Sequence, residues 1–261
     1  MNFKSFGLVA IAATGLSLSV AVSASSKLGI LPAGTSVSSA SVSSTTAPPT
    51  EIADRPLERA PVALSRAYNR EQIDYFLEIA LGSEFGNATP KIRKWAGPIS
   101  IRVVGTPTAA DWQTLNGAIA ELNALTEGID LYLDADDPHA KIEIYFVPES
   151  EFNTYEPNYI PRNYGFFWTW WERDTIYRGR ILIASAGITQ QERSHLIREE
   201  LTQSLGLMRD SGRYRDSIFF EGWTDTTAYS PLDKAVISLL YRHEIRPGMT
   251  RDRLLDLLDA H

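Results

Sequence analysis

The apolar positions of this chain follow two rhythms, one returning every third or fourth residue and one alternating, and the switches between them mark its elements. Ile73, Phe76, Leu77 and Ala80 form a helical stripe; Asn69 and Gln72 make the capping box that starts it, and Gly82 closes it. After Pro98 the run Ile99-Ser100-Ile101-Arg102-Val103-Val104 alternates like a strand. Thr108 and Asp111 box a second helix that turns Trp112, Leu115, Ile119, Leu122 and Leu125 inward and ends before Gly128. Further strands are predicted over 129–133, over 141–147 as far as Pro148, and over 180–184. Thr189 with Glu192 opens a third helix, and Ser230-Pro231 with Asp233 opens a fourth. After the turn Pro247-Gly248-Met249, Thr250 begins a short last helix carrying Leu254, Leu255, Leu257 and Leu258. This order points to an α+β fold: one domain over 66–261 with helices packed on a twisted, mostly antiparallel or mixed sheet.

Between the last two strands, Tyr155 to Tyr177 is dense in aromatics, including Trp168, Trp170 and Trp171. Such a stretch either grips a sugar or peptide or is a long loop stapling itself to the sheet; the second reading is preferred, because long loops in compact domains pack their own side chains.

The helix from Thr189 carries the candidate chemistry. Ile197, Leu201 and Leu205 make its apolar stripe, while His195, Glu199 and Gln203 repeat at i, i+4 on another face with Glu200 beside them. That polar face is either solvated or lines a cleft. The run from Glu199 to Leu207 has the frame of the zinc-protease helix, with Glu200 in the general-base position and Gly206 at the turn that returns a third ligand. The ligand positions carry Glu199, Gln203 and Arg209 instead of His. An Arg cannot ligate a cation and a Gln amide ligates zinc poorly, so the frame stands without its zinc ligands and no cofactor is expected.

Composition narrows the function classes. The 261 residues carry 25 Lys and Arg against 32 Asp and Glu, a net charge of −7, which argues against a nucleic-acid partner. Lys4 followed by the small apolar run 6–22 and the Val22-Ser23-Ala24 site reads as a secretory signal peptide over 1–24, too short and too poor in Leu and Ile for a stable membrane anchor. Its removal takes away Lys4 alone and leaves 24 basic against 32 acidic residues, a charge of −8. The Ser/Thr/Ala/Pro-rich stretch 25–65 reads as a disordered tether. No cysteine is present, so stability must come from the core and no thiolate chemistry is available. A periplasmic or secreted location is expected.

Arg198-Glu199-Glu200-Leu201-Thr202-Gln203-Ser204-Leu205-Gly206-Leu207, then Asp210-Ser211, Ser217-Ile218-Phe219, Leu232-Asp233-Lys234, Leu240-Tyr241 and Arg246-Pro247-Gly248-Met249-Thr250 resemble the bacterial family called domain of unknown function 2927. Phe76 to Gly82 and Ile92-Arg93-Lys94-Trp95 fit its N-terminal part. The layout is similar to that of metzincin-type zincins, which implies a single zincin-like domain with a central active-site-type helix and 180–184 as the strand edging the cleft.

Three chemistries follow. His195 and Glu199 have a two-ligand zinc spacing, with His243, Glu221 or Asp210 as third donor. Glu199 and Glu200 offer metal-free acid/base work, although neighbours on a helix diverge by about a hundred degrees; for Glu199 an ion pair with Arg209 or Arg193 is the preferred reading. The third is a non-catalytic envelope protein binding peptide or cell-wall material in the cleft, with a hydrolase using Glu200 as general base as the alternative. The expected arrangement brings Glu199, Glu200, Gln203 and Arg209 together at the cleft floor without a metal, with Asp210, Trp168 and Trp170 as further cleft residues.

Overall fold

Helix starts are settled locally, by side chains that take up the first free amides. In the computed structural model, which describes residues 67–82, 90–157, 159, 161 and 163–259, four such starts are complete capping boxes. Asn69 with Gln72, Thr108 with Asp111, Thr189 with Glu192 and Ser230 with Asp233 each bond reciprocally. They open helices α1 (Arg70–Leu81), α2 (Ala109–Leu125), α4 (Gln190–Gln203) and α5 (Pro231–Leu240). The single-turn α3 (Phe152–Tyr155) and the C-terminal α6 (Arg251–Asp259) complete the described helices. All described residues belong to one compact unit. The expected leader over 1–24 and tether over 25–65 lie outside the described residues.

The strands are β1 (Lys94–Trp95), β2 (Ile99–Gly105), β3 (Leu131–Leu133), β4 (Ile142–Val147), β5 (Gly165–Glu172) and β6 (Thr175–Ala184). Their order is β1-β6-β4-β2-β3, every pairing along that path parallel, with β5 added antiparallel to β6. This overturns the expected α+β fold with a mostly antiparallel or mixed sheet: a parallel sheet covered by helices is an α/β fold. The physical reason is visible in β4, which is buried at all six positions. A strand covered on both faces belongs in a parallel interior, where crossover helices supply the cover.

Alternation sorts the side chains between the two faces. Ile99, Ile101, Ile142, Ile144, Phe146, Phe167, Ile181 and Ile183 join α1, α2 and α4 in the main core. Tyr145, Val147, Phe166, Trp168, Leu182 and Ala184 point the other way and form a second cluster under Phe152 and Tyr159. Two further expectations are corrected here. The aromatic segment is no stapled loop over its second half: 165–172 is the edge strand β5, and 180–184 lies inside the sheet between β4 and β5. Trp112 stays 38% exposed, because its place on α2 falls beside the stripe of Leu115, Ile119 and Leu122.

Candidate functional site

Beyond its partly exposed first turn, helix α4 is enclosed. Arg193 and the whole run from His195 to Gln203 are buried, so the polar face is neither solvated nor the wall of an open cleft. Leu196, Ile197 and Leu201 enter the main core. Arg193 donates to Asp111 of α2 (3.3 Å) and to the Ser185 carbonyl (3.0 Å). Arg198 reaches Glu121 at 3.2 Å and lies 4.5 Å from the Tyr229 ring centroid. The segment 221–229 closes over the remaining side: Thr226 meets His195, Tyr229 meets Thr202 at 2.7 Å, and Asp225 accepts from Gln191 at 2.9 Å.

The end of the helix is fixed by three contacts. Trp95 donates its indole N–H to the Ser204 carbonyl (2.9 Å), and the Tyr241 hydroxyl donates to the Leu205 carbonyl (2.8 Å). Gly206, at φ +116°, lies so close to β1 that a Cβ there would sit 2.0 Å from the Arg93 carbonyl oxygen. Only glycine fits that position.

Inside this enclosure the frame's side chains bond to close neighbours, and the buried Gln203 Oε1 is left without a hydrogen bond among the described residues. His195 donates Nδ1–H to the Thr226 carbonyl at 2.6 Å, while Nε2 faces Glu199 at 3.2 Å. Burial works against charge on this ring, but the Glu199 carboxylate, the Thr226 carbonyl and Asp225 outweigh it, so the imidazole pKa is raised. The raised pKa favours the protonated ring, in which both nitrogens donate, Nδ1–H to Thr226 and Nε2–H to Glu199. Gln203 donates its amide to Asp210. Glu200 is 2% exposed. Its burial, compounded by the charges of Glu199 and Asp210, pushes its carboxyl well above the usual carboxylate range.

Sequence reasoning expected Arg209 inside this cluster, and the structure places it outside. Arg209 is exposed and its stem lies across Gly82 at the end of α1, where an added Cβ would touch Cδ at 2.1 Å. It pairs with neither Glu199 nor any other described carboxylate, because Gly206 carries the chain past β1 instead of back over α4. Arg193 is likewise spent on Asp111, so the partner of Glu199 is His195, one turn earlier. Glu199, Glu200, Gln203 and Asp210 do come together. Trp168 and Trp170 do not join them: Trp168 belongs to the second cluster, and Trp170 is covered by Arg178 and Arg180, with centroid distances of 4.9 and 5.6 Å. His243 pairs with the adjacent Glu244, and Glu221 lies against Gly212. Among the described residues no group of three or more His, Asp or Glu is arranged to hold a metal.

With this geometry in place the comparisons can be read. The model of the protein family of unknown function DUF2927 matches residues 69–260. The chain belongs to the DUF2927 family. None of the curated proteins matches it in sequence. Two solved structures of myroilysin overlay on it: one at TM-score 0.37 and 11% identity, covering 57% of this chain and 82% of the other, and one at 0.38 and 10%, covering 64% and 92%. At that level of overlap the likeness assigns no chemistry to this chain.

The DUF2927 chain also uses residues that the sequence pattern did not single out. Gly165 begins β5 against the helix, and a Cβ there would meet Glu200 Oε1 at 2.4 Å and Leu196 Cδ2 at 2.8 Å. A glycine opening a strand is a signal for such close approach, hidden here inside the aromatic run. Thr226 and Tyr229 carried no signal, since the return of 221–229 over α4 is a long-range contact. As for chemistry, the raised pKa of Glu200 favours its protonated form, and Glu199 beside it faces His195.

Proposed function

We propose that this DUF2927 chain is a non-catalytic exported protein of the cell envelope that binds peptide or cell-wall material on a zincin-type frame whose metal-ligand positions now serve packing. One observation carries this reading: each of those positions is already committed. Glu199 faces His195, Gln203 holds Asp210, and Arg209 is turned out onto Gly82. The leader-like N-terminus and the Ser/Thr/Ala/Pro-rich stretch after it support residence in the periplasm or outside the cell. A hydrolase is the second reading, favoured by the raised pKa of Glu200, since buried acids with displaced pKa values gather at functional sites.

Incubating the purified protein with a peptide panel and solubilised cell-wall fragments separates the two. The binding reading expects saturable binding with every ligand recovered intact. Cleavage that disappears in Glu200→Gln would overturn it in favour of the hydrolase.

A further inference from the structure

A cavity of about 760 Å³ opens beside the frame, on the side to which Arg209 has turned. Its walls come from the second half of α1, from the chain just after α4 and from the start of α6. Leu77, Leu81 and Pro90 give it apolar surface, and Arg209, Arg213 and Arg251 stand around it with Asp74, Glu78 and Asp252. The charges are not equivalent. Asp74 is taken by Arg70 at 3.0 Å, and Glu78 by Arg213 at 3.2 Å, with Arg213 also donating to the Tyr214 hydroxyl. Arg209 and Arg251 make no ion pair with any described residue, and Asp252 accepts from none. The Arg209 stem is held against Gly82, where there is no room for a Cβ, so its guanidinium is presented from a fixed base.

We propose that this cavity is a ligand site for a short peptide, held by its free carboxylate between Arg209 and Arg251, with an apolar side chain on Leu77 and Leu81. The assignment rests on the binding reading above and names the ligand class and the place. The volume falls within the range of small-molecule sites and is larger than an inorganic anion would fill. The planar guanidinium fork matches a carboxylate in two parallel hydrogen bonds. Asp252, which accepts from no described residue, favours a ligand that also carries N–H donors or an ammonium, as a peptide does and a simple fatty acid does not. Arg209 thus occupies the frame's third-ligand position yet acts outside the frame, on the ligand.

Isothermal titration calorimetry of the full chain tests this, using acetyl-Ala-Ala-Leu with a free C-terminus, the same peptide as its amide, and inorganic phosphate. The free acid is expected to bind, the amide at least about tenfold more weakly, and phosphate without saturation. Arg209→Ala should weaken the free acid by about tenfold or more, and Arg209→Lys should recover part of the loss. Lys234→Ala, which removes an exposed charge on α5, should change nothing. Unaltered melting temperatures of the Arg209 variants show that the fold is kept. Equal binding of acid and amide, wild-type affinity in an Arg209→Ala/Arg251→Ala double variant, or no peptide binding at all would overturn the site. Cleavage of the peptide that stops in Glu200→Gln would sink the non-catalytic reading instead, and the site would then stand or fall on whether Arg209→Ala raises KM.

Discussion

A carboxyl buried among carboxylates must keep its proton or find a cation, and Glu200 forms no ion pair among the described residues, while Glu199 and Asp210 act on it as like charges. Its folded-state pKa is therefore raised above the unfolded value, and this has a definite sign. Between the two values the folded state binds more protons than the unfolded state, so stability is highest below the unfolded pKa and falls as pH rises through the window above it. His195, also raised in the folded state, contributes with the same sign over a higher window: its share is present below about pH 6.5 and is lost as pH rises through the folded value. Replacing Glu200 with Gln removes the acid without removing its volume. We expect the variant to be more stable than wild type near neutral pH, by about 1 kcal/mol, with the advantage vanishing near pH 4. Urea unfolding of both proteins across that range checks it; a Gln variant less stable than wild type at neutral pH would mean that Glu200 is ionised and paired.

At the level of elements, two glycines decide how closely the sheet can approach α4. Gly165→Ala would drive a methyl against the Glu200 carboxyl and Leu196, and over-packing of this kind costs about 1–3 kcal/mol. Gly206→Ala combines a backbone that suits glycine, at φ +116°, with a collision against the Arg93 carbonyl, and should cost more than Gly165→Ala. Thermal melts rank them, and a Gly206→Ala protein as stable as wild type would contradict the close approach. Elements fixed by near neighbours were legible in the chain: Asn69, Thr108, Thr189 and Ser230 announce their helices within three residues. The direction of strand pairing was not, because it depends on partners far apart, such as Ile142 beside Ile101 and Gly179. β5 escaped because Phe166, Phe167, Trp168, Trp170 and Trp171 are large and apolar on both faces, so alternation, the usual mark of a strand, is erased. That Glu199 and Gln203 share a face, with Glu200 beside them, was legible from i, i+4 spacing, whereas the approach of Asp210 and the fate of Arg209 turned on the path after Gly206, which no local pattern encodes.

Across the whole molecule, the sheet separates two surfaces of different character. On one face α1, α2, α4 and the segment 221–229 bury the acid and amide cluster; on the other, Arg102, Arg178 and Arg180 surround Glu143 beside Tyr145 and Trp170. Glu143 is held below the usual carboxylate range: burial raises it, but its bonds to Arg102 and Arg178 outweigh that. The frame positions inside the first layer are engaged with one another, and the cavity beside Arg209 lies outside it. Among the described residues α4 offers no donor set for a metal, and zinc content tests this most directly. Protein purified without chelators should carry no stoichiometric zinc by elemental analysis, and added zinc should leave its melting temperature unchanged. One zinc per chain, lost on His195→Ala or Glu199→Gln, would contradict the account.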